Sequence, residues 1–202
     1  MQKQLLLLPI LLFAASCSSL PCFGSDDAAC DADVESNTTA EANHTMPTDP
    51  DPAPPSYLEI MNFTVLDGKV AGGGSITAEQ VATLPSLGYT TIINLQGENE
   101  PGVRAEAAAA HAAGLNYISI PVGGDTFTLE DGNAVAKALA QYPGHALLHC
   151  RSGGRVSAIW ALTRAINEGL TAEEAMNVAA NEGCRPIPES MVKRVGAELT
   201  PR

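Results

Sequence analysis

Positive charge is scarce in this chain: 11 lysines and arginines stand against 23 acidic residues in a length of 202. The deficit is uneven. Between Ser18 and Ser56 there are eight acidic residues and no lysine or arginine. From Tyr57 onward, 15 acidic residues face 10 basic ones, which is ordinary for a water-exposed domain and argues against nucleic acid as a partner. Long apolar runs are missing too. The one pronounced run, Leu5 to Ala15, is too short to span a bilayer. There is no Cys-x-x-Cys and no Cys/His group at zinc spacing, so neither a metal site nor a cofactor is expected.

What is present at the N-terminus is the pattern of an export signal. Met1-Gln2-Lys3 gives a weak positive start, the apolar run follows, and Ala14-Ala15-Ser16-Cys17 ends it with small residues and a cysteine. This resembles the bacterial lipobox, in which the cysteine is lipidated. Residues 1–17 are therefore expected to form a signal peptide with Cys17 as the lipidation site; ordinary cleavage nearby is the alternative. Residues 18–56 read as a disordered tether, acidic and ending in the proline-rich run Pro47–Pro55. The expected location is the bacterial periplasm, with the membrane touched only through the lipid. Cys22 and Cys30 lie in the tether, either paired or free. Two Asn-x-Thr sequons there, at Asn37 and Asn43, arise readily by chance in such a composition.

Residues 57–202 suffice for one α/β domain. Phe63 and Val65 mark a strand within Ile60–Leu66, Asp67-Gly68 a turn, and Lys69–Ala71 an extended continuation. Gly72-Gly73-Gly74 reads as a flexible loop. Thr77 with Gln80 caps a helix that Pro85 shortens and Gly88 ends. The β-branched run Thr90–Leu95 is the clearest strand. Pro101 opens the next helix, which stops at Gly114, and Tyr117–Ile120 is again a strand. Thr128 with Asp131 caps a helix broken by Pro143-Gly144; Thr171 with Glu174 caps another, and Pro188–Leu199 forms the last. Alternating strands and helices predict a mostly parallel central sheet with helices on both faces, and a site at the C-terminal strand edge.

That edge falls in Ala146–Ile166. Ala146-Leu147-Leu148 is a buried strand, Cys150–Arg155 a loop with two glycines, and Val156, Ile159, Trp160 and Ile166 recur at helical spacing. Strand, glycine loop and helix N-terminus make an anion cradle of inward N–H groups plus a helix dipole. Cys150 lies in it as the candidate nucleophile, because thiols ionise more readily beside a helix N-terminus and cations. Arg155 offers a planar fork that matches two phosphate oxygens. Arg151, Ser152, Gly153 and Gly154 complete the candidate phosphate-binding loop. The expected partner is a small anionic or phosphorylated substrate. Ser157 could hydrogen-bond the sulfur. Asp125, in a loop opening on the same edge, is the candidate general acid, with a solvated turn aspartate as the rival reading. Glu98 and Glu100 could face the cleft but read better as solvated loop residues; His149 reads as a support of the loop backbone over a base, and Cys184 as a structural cysteine over a resolving thiol.

Asn62-Phe63, Asp67-Gly68, Gly73-Gly74-Ser75-Ile76-Thr77, Gly88–Leu95, Ile120-Pro121-Val122 and His149–Arg155, in this order, resemble the phosphatase-like domain of beta-lactamase-hydrolase-like proteins. That family lies in the dual-specificity, tyrosine-phosphatase-like superfamily. The resemblance implies the cysteine-phosphatase fold, with Cys150 attacking a phosphomonoester to form a thiophosphoryl enzyme. One feature departs from it. Tyrosine-type phosphatases place five residues between cysteine and arginine, and here Arg151 to Gly154 make four. This spacing resembles the active loop of rhodanese-type sulfurtransferases, so a persulfide carrier stands as the alternative, and an anion-binding module without catalysis as a third.

Overall fold

A computed structural model describes residues 57–200. The signal peptide, Cys17, the tether and the Cys22/Cys30 question lie outside them. The described chain forms five strands and six α-helices: β1 (Thr64–Asp67), β2 (Val70–Gly73), α1 (Ala78–Thr83), β3 (Tyr89–Asn94), α2 (Val103–Ala112), β4 (Asn116–Ser119), α3 (Leu129–Gln141), β5 (His145–His149), α4 (Gly154–Glu168), α5 (Ala172–Asn181) and α6 (Glu189–Leu199). The strand order is β1-β2-β5-β3-β4. The β1–β2 hairpin is antiparallel and every other pairing is parallel. The mostly parallel α/β sheet read from the alternation is therefore present, with β5 at its centre.

Successive residues of a strand point to opposite faces, and here they feed two cores. Ile92 and Leu147 join Val81, Leu84, Ala110 and Leu115 on the α1–α2 side. Their neighbours Ile93 and Leu148 join Phe127, Val135, Ile159, Trp160 and Leu162 on the side of α3 to α6. A strand buried on both faces has no polar side to display, which is why β3 reads as a β-branched run and β5 has the apolar run Ala146–Leu148, neither alternating.

The helix signals act as expected at three starts. Thr77 and Gln80 form a reciprocal capping box, as do Thr171 and Glu174. The Thr128 backbone N–H donates to Asp131 Oδ2 at 2.8 Å. Pro85 converts the end of α1 into a 3-10 turn over Leu84–Leu87, closed by Gly88 in the left-handed region. Pro101 does not open α2, which starts at Val103 with Gly102 as its N-cap.

The glycine run is not a loop. Gly72 and Gly73 belong to β2, are buried, and pair with Leu148 and His149 of β5. A Cβ on Gly73 would meet Ile60 Cδ1 at 2.5 Å, and one on Gly72 would meet Val156 Cγ1 at 3.0 Å. These positions lack side chains because the layers close directly over the strand, not because the chain must bend.

Gly132 shows the same constraint between helices. A Cβ there would lie 2.7 Å from Leu162 Cβ and 3.3 Å from the Leu162 carbonyl carbon. In an exposed helix Gly→Ala stabilises by about 0.5–1 kcal/mol. Here overpacking of about 1–3 kcal/mol prevails, so Gly132→Ala lowers the midpoint of thermal unfolding followed by circular dichroism. An unchanged or raised midpoint would show that α3 and α4 separate freely.

Candidate active site

The site begins where β5 ends. Cys150 follows His149, is 1% exposed, and donates its N–H to the Gly73 carbonyl at 3.2 Å. Its sulfur accepts the Gly153 N–H at 3.2 Å. The Ser152 carbonyl belongs to the same peptide unit as that N–H. In a trans peptide the two point in opposite directions. Asn62 Nδ2 and Arg185 Nη1 each hold the Ser152 carbonyl at 2.9 Å, on the side away from the sulfur. The Arg151 carbonyl is held likewise by the Ser75 N–H at 3.2 Å and Oγ at 3.1 Å. Fixing the carbonyls outward turns the amides inward, which is how a loop of this kind becomes an anion ring. Gly153, with φ of +84°, is the N-cap of α4 and makes the left-handed turn that closes the ring.

Arg155 lies in the first turn of α4. Its Nη1 donates to the carbonyls of Leu95 and Val122, each at 3.0 Å, and to Glu100 Oε1 at 2.6 Å; Nη2 donates to Glu100 Oε2 at 2.8 Å. Nε takes no part in these bonds. Glu100 is oriented in turn by the Gly97 N–H at 2.9 Å and by Gln96 Nε2 at 3.3 Å. Glu100 is therefore a cleft residue and not the solvated loop carboxylate that its polar surroundings suggested; Glu98 is exposed. Two charge-assisted bonds from Arg155 hold the Glu100 carboxyl down at about 2, far below its ordinary value near 4.5. Glu100 in return raises Arg155 above the usual guanidinium range; burial opposes this, and the neighbouring Cys150 reinforces it.

Behind Cys150 lies a buried polar chain. His149 is fully buried, and its Nε2 lies 2.9 Å from Glu106 Oε1, where a loop-backbone bond had been expected. Tyr117 OH donates to the same oxygen at 3.0 Å, and Asn94 Nδ2 donates to Tyr117 OH at 2.8 Å. Burial, and then the charge of Glu106, push the Tyr117 phenol upward, so it stays a donor. Glu106 had no assigned role. Its one sequence signal was a lone charge inside an alanine run of α2.

Cys150, Arg151, Ser152, Gly154 and Arg155 line one cleft of about 540 Å³, together with Glu100, Val122, Gly123, Gly124, Arg185, Pro188 and Met191. Gly153 reaches the sulfur from behind that wall. Asp125 is exposed and directly follows the two lining glycines, but its own side chain does not line the cleft. Ser157 is buried and donates to the Gly153 carbonyl at 3.2 Å instead of to the sulfur. Cys184 is half-buried, and burial pushes its thiol up to about 11, as suits a structural cysteine. Among the described residues no group of side chains is arranged to hold a metal. Arg185 was missed because nothing local distinguishes an arginine in the α5–α6 loop.

The Glu100 carboxyl is ionised in the fold far below its ordinary value. Its contribution to stability is thus complete above about pH 4.5 and is lost as pH falls towards about 2. Urea midpoints measured across this window should fall in wild type and change less in Glu100→Gln.

The match to known proteins covers this same region. Residues 62–167 fit the family model described as beta-lactamase hydrolase-like protein, phosphatase-like domain. A beta-lactamase hydrolase-like protein of Xylella fastidiosa is 36% identical over 118 residues, covering 56% of this chain and 27% of that relative. The chain thus corresponds to about a quarter of that protein's length. A proposed phosphatase from Neisseria meningitidis superposes with a TM-score of 0.55 at 25% identity, covering 68% of this chain and 99% of that one. TpbA of P. aeruginosa, solved with phosphotyrosine, superposes with a TM-score of 0.52 at 18% identity, covering 69% and 83%, which shows a shared fold. The chain belongs to the phosphatase-like domain family of beta-lactamase hydrolase-like proteins.

Proposed function

We propose that this protein hydrolyses phosphomonoesters through a cysteinyl-phosphate intermediate. The observation that carries the reading is the Cys150 sulfur at the floor of a cleft, facing the Gly153 amide and beside an arginine held by Glu100 and two carbonyls. The phosphate sits over the loop amides, with Arg155 on its oxygens. The Cys150 thiolate attacks phosphorus and forms the S–P bond as the ester P–O bond breaks. The departing alkoxide takes a proton from Asp125. The Asp125 carboxylate then takes a proton from water, whose oxygen attacks phosphorus; the S–P bond breaks, and inorganic phosphate leaves with the thiolate restored. Glu100 is not the acid, because Arg155 keeps it ionised at neutral pH. Asp125 lies in the loop whose glycines line the cleft, which supports it as the acid. The apolar run and small residues that precede Cys17 support a reaction outside the cytoplasm, on a lipid anchor at that cysteine.

In the full chain, Cys150→Ser abolishes phosphate release. Asp125→Asn slows hydrolysis of an alkyl phosphate by about 10²-fold, and that of p-nitrophenyl phosphate, whose leaving group needs no proton, by much less. Equal slowing of both substrates would remove Asp125 from the acid role. Formation of thiocyanate from thiosulfate and cyanide, with no phosphate release, would replace the phosphatase reading with sulfur transfer, which the four-residue spacing also suits. For the anchor, Cys17→Ala should move the protein from the membrane to the soluble fraction after cell lysis.

A further inference from the structure

Two cationic side chains at the cleft are left over once the phosphate seat is accounted for. Arg155 is matched by Glu100. Arg164 and Arg194 are likewise paired with carboxylates. Besides Arg104, which lies outside this cleft, Arg151 and Arg185 have no carboxylate within ion-pair distance among the described residues, although 15 acidic residues lie between Tyr57 and Thr200. Both are exposed and both line the cleft. In an acidic chain, unpaired arginines gathered at one cleft point to an anion that arrives from outside.

The position of Arg185 sets it apart from the proposed seat of the phosphate under attack. Arg185 Nη1 holds the Ser152 carbonyl at 2.9 Å, and the N–H of that same peptide faces the Cys150 sulfur. The guanidinium therefore sits on the outer side of the ring whose inner side seats the phosphate. Its flanks are anchored. Cys184 and Ile187 pack against the core, and Thr64 Oγ1 holds the Glu182 carbonyl at 3.2 Å. A guanidinium carries five N–H donors and this bond uses one, so a fork remains for a second anion. Val122, Pro188 and Met191 supply apolar wall for the carbon frame between the two groups.

We infer that the preferred substrates are phosphomonoesters carrying a second anionic group on a compact, partly apolar frame, with Arg185 binding that second group and Arg151 assisting. This rests on the phosphatase reading above and names its substrate class. If the two arginines only strengthened the grip on a single phosphate, monophosphates and bisphosphates would bind alike.

The test uses full-length Cys150→Ser, which binds without turnover. Affinities for phenyl phosphate and for the three isomeric phenylene bisphosphates are measured by calorimetry. At least one isomer should bind about 10-fold more tightly than phenyl phosphate, the gain from one set of charge-assisted bonds. That ratio should fall towards unity on adding Arg185→Gln, fall less with Arg185→Lys, and shrink as salt rises. The ratio is the readout, because loss of the Ser152 contact affects both ligands. Equal binding of mono- and bisphosphates, or a ratio unchanged in Arg185→Gln, overturns the inference. Release of phosphate from phenyl phosphate by the wild type decides the parent reading separately.

Discussion

Arg155 ties the active edge of the sheet together. From the first turn of α4 it reaches the carbonyl of Leu95 after β3, that of Val122 after β4, and the carboxylate of Glu100 in the loop before α2. These segments come from separate parts of the chain and meet only because parallel strands end at a common edge. A guanidinium suits the task because its planar donors serve a carboxylate fork and carbonyls at once, which an ammonium would not. The clamp is partly buried, at 12% exposure for the Arg155 side chain and 27% for that of Glu100. Breaking one partner therefore leaves an uncompensated charge in a shielded place.

Cys150 is gripped from the other side as well. His149, Glu106, Tyr117 and Asn94 form a connected set within the α1–α2 face of the sheet. Polar groups removed from water are costly unless they satisfy one another. Here the bonds among Glu106, Tyr117, Asn94 and His149 Nε2 offset part of that cost, while His149 Nδ1 stays buried without a hydrogen-bond partner. Glu106 Oε1 accepts from Tyr117 and pairs with His149, and Tyr117 is itself bonded to Asn94. Cys150 is the residue after His149, so its backbone is fixed by this network on one side and by the Gly73 carbonyl on the other. The loop beyond it is stapled outward by Ser75, Asn62 and Arg185. Preorganisation of this kind allows a ring of amides to face an anion without rearrangement during reaction.

Much of this was legible from local signals. The strands at Thr90–Leu95 and Ala146–Leu148 announce themselves by β-branched and apolar runs, because both of their faces are buried. Thr77 with Gln80, Thr171 with Glu174, Pro85 and Gly88 act over three or four residues, and each does in the fold what it does in the sequence. The Cys150–Arg155 loop was readable for the same reason: strand, glycine turn and helix start lie within one short stretch. Gly72 and Gly73 misled because a glycine that flexes and a glycine over which a layer closes look identical in one dimension. Only the positions of Ile60 and Val156 distinguish them.

The sequence by itself determined the order of elements, the α/β class and the glycine loop that carries Cys150 and Arg155, since each depends on neighbours close along the chain. Tertiary structure decided the rest. Glu100 became the partner of Arg155 across 55 residues, Glu106 that of His149 across 43, and Arg185 the support of Ser152 across 33. An ionisable side chain on a loop or an alanine-rich helix carries no local mark of the group it will face. That choice is made when the strand ends converge and desolvation penalises every charge that lacks a partner. The same convergence left Arg151 and Arg185 at the cleft without a carboxylate, a difference no spacing in the chain could have revealed.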